Sequence, residues 1–313
     1  MRSTAIAILL TACGPRSPEP AVANPSSETA APGAPALPAY ASAEPITTPR
    51  LFAPGAVSTA DPEFATSFAA DGATVYFDRA NADRSKLIIM SSTYAGGTWQ
   101  PAASLPFSTG EFRDVDPFVV GDRLYFSSNR PRPGEASTDF DTWVVTRSGA
   151  SWSAPAHVDG APSGPGNQVF VSIARDGTLY FQTDASGGGD LYRAPRAGDG
   201  YPAAAPIDGI CTPASEGNPA ISPDGTLLVF VSDRDGGAGG ADLYASRAHD
   251  GVWSPPKNLG AAINSPQADF APGFSPDGKY LFFTSERPGV APAPASGRPP
   301  GDIYQIDVAA LGM

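Results

Sequence analysis

Four acids and one amide occupy a recurring place in this chain: Glu63, Asp114, Asn167, Glu216 and Asp269. Each stands fourteen residues before a phenylalanine that closes an apolar run, or twelve before it in the second copy. Arginines follow four of the same runs, at Arg79, Arg130, Arg234 and Arg287. Two chemistries fit that pattern. Carboxylates held by guanidinium and backbone N–H groups would be architectural. Converging carboxylates could instead form a ligand rim for a cation or a cationic peptide, or serve as an acid–base pair on a glycosidic bond. The third copy has Asn167 in place of the acid, and its Gln182-Thr183-Asp184-Ala185 supplies no arginine. Loss of both charges together is what an ion pair within each repeat predicts, so the structural reading is favoured.

Other chemistry is sparse. The glycine-rich stretch from Asp233 to Asp242 offers Asp233, Asp235 and Asp242 as hard oxygen ligands of the kind calcium takes, but without EF-hand spacing or a closing glutamate. His157 and His249 fall at different places in their repeats, which argues against a metal site built from histidines. No Gly-x-Ser-x-Gly nucleophile elbow occurs. None of these residues calls for a cofactor. A net charge of −12 repels phosphate backbones and argues against nucleic acid as a partner.

The elements that would position the ring repeat about every fifty residues. Val75-Tyr76-Phe77, Leu124-Tyr125-Phe126, Leu179-Tyr180-Phe181, Leu228-Val229-Phe230 and Leu281-Phe282-Phe283 read as strands buried on both faces. A Gly-Asp or Asp-Gly turn precedes each run, a strong hairpin signal. A third strand follows, as in Asp190-Leu191-Tyr192 and Asp242-Leu243-Tyr244. A fourth opens on an aromatic and soon meets proline, as in Trp99 to Pro101 and Trp253 to Pro255. Proline is tolerated there because an outermost strand has a free edge. Four antiparallel strands per repeat make a propeller blade. Five repeats predict an all-β, five-bladed β-propeller over 46–313. Its last blade lacks a fourth strand of its own, and Thr48-Pro49-Arg50-Leu51, which matches the segment before the last repeat, is expected to complete it.

Ser222-Pro223-Asp224-Gly225, Ser232-Asp233-Arg234-Asp235-Gly236-Gly237 and Gly240-Ala241-Asp242-Leu243-Tyr244 resemble the TolB-type (WD-repeat-like) β-propeller repeat. So do Trp253-Ser254-Pro255-Pro256-Lys257-Asn258-Leu259 and Ser275-Pro276-Asp277-Gly278. The resemblance implies a binding or scaffolding propeller. TolB itself has six blades and an N-terminal α/β domain, which this sequence does not match, so its Tol–Pal role is not carried over.

The N-terminus reads as an address. Arg2, the apolar run Ala5–Leu10 and Leu10-Thr11-Ala12-Cys13 resemble a bacterial lipoprotein signal, with residues 1–12 removed and Cys13 acylated. Gly14 after that cysteine is the outer-membrane sorting pattern, which places the protein in the cell envelope facing the periplasm. Residues 13–45, rich in proline and alanine with no hydrophobic period, read as a disordered tether. The expected partner is therefore an envelope protein, peptide or glycan met by a monomer that touches the membrane only through its lipid. A glycan hydrolase or lyase using the channel carboxylates is the alternative.

Overall fold

The computed structural model describes residues 37–132, 134, 138–291 and 298–313. The signal peptide, Cys13 and most of the expected tether lie outside the described residues, as do parts of the two long loops at 130–139 and 288–301.

The described chain is an all-β propeller of five antiparallel sheets. Its inner strands are Glu63–Phe68, Asp114–Val120, Gln168–Ile173, Glu216–Ile221 and Asp269–Phe274. Each pairs with a second strand that carries the closing phenylalanine: Thr74–Ala80, Arg123–Ser128, Leu179–Thr183, Leu227–Ser232 and Tyr280–Ser285. These second strands are apolar on both sides because each is sandwiched between neighbouring sheets. Phe77, Phe126, Phe181, Phe230 and Phe283 are all buried. They sit in separate apolar clusters, one at each blade interface, rather than in a single core.

The outer strand is short and interrupted. In the first blade Thr98–Trp99 and Ala103–Ser104 both pair with Leu87–Ala95, and Pro101, which has no N–H to donate, lies between them. Pro155 divides the second blade's outer strand in the same way, and Pro255-Pro256 the fourth's. In the fifth sheet the outermost strand is Arg50–Leu51, whose partners are Gln305 and Tyr304. Lys257–Asn258 meets Ala245 and Tyr244 in the same register one blade earlier.

The packed body begins before residue 46. Tyr40 is 4% exposed and lies edge-on to Phe68, Tyr280 and Phe282. Its ring occupies the space that a Cβ on Gly72 would need, 2.6 Å away. Tyr280 Oη accepts the Ser42 N–H, and Ile46 is buried in the same cluster. The expected tether thus ends near Leu37, because one tyrosine amid proline and alanine finds an aromatic slot between the first and last blades.

Two outcomes follow. Tyr40→Ala should cost roughly 3 kcal/mol in denaturant unfolding, as large-to-small changes in aromatic cores do. A chain starting at residue 37 should melt at the same temperature as a longer one, whereas a chain starting at residue 42 should melt well below it.

Candidate functional site

The inner strands share a backbone feature that fixes the geometry at the axis. Ala65, Asp116, Phe170, Asn218 and Ala271 have positive φ, between 46° and 58°, and each stands two residues into its strand. Every one coincides with a register shift against the second strand. Non-glycine residues rarely adopt this conformation, so five in equivalent positions mark a designed bulge. The bulge turns one N–H out of each sheet. The preceding blade accepts it: Asp116 N–H donates to Asp78 Oδ2 at 2.8 Å, Phe170 N–H to Ser127 Oγ at 3.1 Å, and Asn218 N–H to Gln182 Oε1 at 3.2 Å. Asp78, Ser127 and Gln182 each directly follow a closing phenylalanine. In the fourth blade that place holds Val231, which has no acceptor, and Asn218 Oδ1 takes the Ala271 N–H instead, at 3.2 Å.

The ring predicted from spacing forms around this waist, with one correction. Glu63, Asp114, Glu216 and Asp269 open four inner strands and are all buried. Their carboxylates lie 2.9, 2.5, 3.0 and 2.7 Å from the guanidiniums of Arg79, Arg130, Arg234 and Arg287 respectively. Glu216 also accepts the Thr212 N–H and hydroxyl and the Ser232 hydroxyl. The guanidinium of Arg234 lies over Phe230 and Tyr244, and that of Arg287 over Phe283 and Tyr304, so each closing phenylalanine and third-strand tyrosine roof an ion pair. Burial pushes Glu63 up to about 7, against the pull of Thr59 and Arg79.

The equivalent residue in the third blade is Gln168, not Asn167. Gln168 opens that inner strand and is 2% exposed, with its amide on Pro165 O and Thr183 Oγ1. The hairpin joining Ile173 to Leu179 has five residues where that joining Ile221 to Leu228 has six, so counting back from Phe181 overshoots by one. Asn167 instead bridges to Asp184.

The glycine-rich loop turns its carboxylates toward protein donors. Asp242 accepts the N–H groups of Ala238 and Gly239 and the Asn258 amide, while Asp233 accepts the Ser215 N–H. Among the described residues, the donors that converge closely enough to suit a metal are Asp190, Cys211 and Glu216, within 4.8 Å of one another. Glu216 is already saturated, and burial pushes the Cys211 thiol up, which keeps it protonated and a poor ligand. His157 lies edge-on to Trp143 with Nδ1 on Asp159, as a packing residue does.

A different pair of acids is left open. Asp78 and Asp116 line a polar recess of about 250 Å³ on the face where the inner strands begin, together with Arg84, Arg113, Asn218 and Arg298. The rings of Phe64 and Phe270 stand on its wall, with their centroids 5.7 Å apart. Asp78 is 1% exposed, and its Oδ1 has no hydrogen-bond partner among the described residues. Burial, then the neighbouring Asp116, pushes Asp78 well above the usual carboxylate range. Burial also pushes Asp116 up to about 7, opposed by the Phe170 N–H. The pair therefore holds a proton near neutrality. Arg84 and Arg298 are both paired to Glu286, so Arg113 brings the recess a guanidinium with no ion pair among the described residues. The sequence signal was a departure from the repeat: an acid after the closing phenylalanine where other copies have Ser, Gln, Val or Thr.

No protein-family model and no curated protein matches the sequence. Solved structures do resemble it. A TolB protein from Agrobacterium tumefaciens is 16% identical over 80% of this chain and 79% of its own, with a TM-score of 0.52. The catalytic domain of a GH62 α-L-arabinofuranosidase from Coprinopsis cinerea is 14% identical over 84% of this chain and 98% of its own, with a TM-score of 0.53. These likenesses establish the fold. One propeller backbone thus serves a TolB protein and a glycoside hydrolase, and the site must decide between them.

The Asp78–Asp116 pair makes stability pH-dependent. Between the unfolded value near 4 and about 7, the native chain keeps a proton on Asp116 that the unfolded chain has released, so stability falls as pH rises through that window, and the raised Asp78 acts in the same direction. Asp78→Asn keeps an oxygen for the Asp116 N–H and removes one charge. Its melting temperature should exceed that of the parent at pH 8 and match it at pH 4.5. Equal melting curves for the two proteins at pH 8 would show that the pair is not strained by ionisation.

Proposed function

We propose that this chain is a binding propeller of the bacterial cell envelope that takes one sugar residue of a glycan into the polar recess. The observation that carries this reading is Asp78 Oδ1, a buried acceptor in the recess wall left without a partner. Burying an unmet polar group costs about 1–3 kcal/mol, so its persistence in a ligand-sized hollow suits an incoming donor. A sugar hydroxyl donates and accepts at once. Asp78 and Asp116 would accept from its hydroxyls, and Asn218 and Arg113 would donate to its oxygens. Phe64 and Phe270, covered by the guanidiniums of Arg84 and Arg298 respectively, serve as the wall that holds those arginines. Sites for drug-sized ligands are roughly 300–1,000 Å³, so the recess suits one residue of a longer chain. The four ring acids are saturated by arginine, serine and threonine and belong to the scaffold.

One observation favours a hydrolase as the second reading. A carboxyl held protonated to about pH 7 beside a second acid is what a general acid requires. Incubating the protein with a panel of soluble polysaccharides separates the two. Binding should appear as saturable retardation in affinity gels with no reducing ends released. Asp116→Asn should weaken it about tenfold or more, as loss of a charged hydrogen bond does. Glu216→Gln should lower the melting temperature and leave the affinity intact. Release of reducing sugar, abolished by Asp116→Asn, would replace the binding reading with the hydrolase.

Residence on the outer membrane, facing the periplasm as a lipid-anchored monomer, belongs to the same proposal and rests on Leu10-Thr11-Ala12-Cys13. Among the described residues no helix is long and apolar enough to cross a membrane. Several acyl chains on Cys13, each methylene contributing about 0.8 kcal/mol, would anchor the body stably. Cells fed an alkyne-tagged palmitate should label the protein, and Cys13→Ala should abolish the label and release the protein from the membrane fraction.

A further inference from the structure

The channel has a second, larger recess on the opposite face, where the inner strands end and turn. It holds about 380 Å³ and draws its walls from all five inner strands. Phe170 closes the floor, packed with Ala65 and Ala271 at the level of the bulges. The waist is therefore plugged, and this recess is separate from the one that holds Asp78.

Its wall is apolar by two devices. Pro117 and Pro272 follow two of the bulged residues and carry no N–H. The serines that line it are turned to the protein: Ser67 Oγ accepts the Val119 N–H at 2.9 Å, Ser172 Oγ donates to Pro219 O at 2.6 Å, and Ser275 Oγ to Asp277 at 2.6 Å. What remains toward the cavity is largely hydrocarbon and ring. One polar atom is unmet: Thr66 Oγ1 lines the recess, belongs to a residue 6% exposed and has no partner among the described residues.

Two guanidiniums, those of Arg175 and Arg196, stand in the lining itself, while the turn aspartates Asp71, Asp122, Asp176, Asp224 and Asp277 each adjoin a lining residue without entering the lining. Arg175 is exposed and makes no ion pair among the described residues. Arg196 reaches Asp199 at 3.5 Å, but that carboxylate is fully exposed and contributes little. Among the described residues the one acid in the lining is Asp116, at the waist, whose carboxyl burial pushes up to about 7. Two guanidiniums in the lining of an apolar hollow suit an anionic head on an apolar body.

We infer that this recess is a second ligand site, for a small amphiphilic carboxylate whose alkyl body fills the hollow and whose head meets Arg175 and Arg196. The full chain carrying Cys13→Ala, and so free of its own lipid, should be titrated calorimetrically with hexanoate, octanoate, decanoate and dodecanoate below their micelle concentrations. One molecule should bind per chain. Each added methylene should tighten binding about fourfold until the hollow is full. Decyltrimethylammonium should bind about tenfold or more weaker than decanoate, and Arg175→Glu with Arg196→Glu should erase that preference. Both arginines lie at turns outside the strand ladders, so a matching melting temperature confirms that the variant is folded. Absence of saturable decanoate binding, equal affinity for the cationic analogue, or an unchanged preference in the double variant would each overturn the site.

Discussion

The whole arrangement depends on one backbone hydrogen bond, repeated round the axis. Five strands converging on a channel cannot all stay flat and extended, and this chain relieves the crowding by turning one residue per strand into the left-handed region. Each such residue costs roughly 1–2 kcal/mol for a side chain bearing a Cβ. It also sends an N–H out of its own sheet, away from the partner it would otherwise have. A bulge left so would carry two penalties. The acceptor placed just past the closing phenylalanine in three blades, Asp78, Ser127 or Gln182, removes the second and joins blade to blade near the axis. The fourth blade shows that the acceptor matters more than its position: with Val231 in the usual place, Asn218 supplies the oxygen from within the waist itself.

That requirement explains why the functional candidate is not the most regular feature of the sequence. Serine and glutamine meet the bulge N–H at no electrostatic cost, as Ser127 and Gln182 do. Asp78 does the same task with a buried carboxyl whose ionisation the surroundings oppose and whose second oxygen is unmet. The bond to Asp116 N–H accounts for an acceptor at residue 78, but not for an acid. The ring of Glu63, Asp114, Glu216 and Asp269 differs in its partners, although burial pushes Glu63 up as well. Its carboxylates are equally buried, yet each has a guanidinium at hydrogen-bond distance, and Arg234 and Arg287 are further held against aromatic faces. What sets Asp78 apart is that its leftover oxygen stands in the wall of a recess.

Periodicity made most of the fold legible. Closing phenylalanines, Asp-Gly turns and prolines in the outer strands recur because every blade solves the same packing problem. The ion-paired ring was legible for the same reason, down to the joint loss of acid and arginine in the third blade. Errors arose where a blade departs from the common length or a residue from the common composition. The spacing points to Asn167 only if the third hairpin matches the first, fourth and fifth, and it is one residue shorter than the fourth. Tyr40 was assigned to the tether because composition averages over neighbours, while a single aromatic side chain can find a slot of its own. Asp78 and Asp116 were passed over because only the recurring acids were weighed.

The plug at Phe170 decides how the two ends of the channel relate. An open tunnel would let one ligand thread the propeller and would couple the faces through a shared occupant. A phenylalanine held in a left-handed bulge, its N–H fixed by Ser127 and its ring packed on Ala65 and Ala271, instead makes two blind recesses of contrasting chemistry. Among the described residues only Asp116 lines both. Its bulged backbone and its carboxyl are thus the features that the two recesses share.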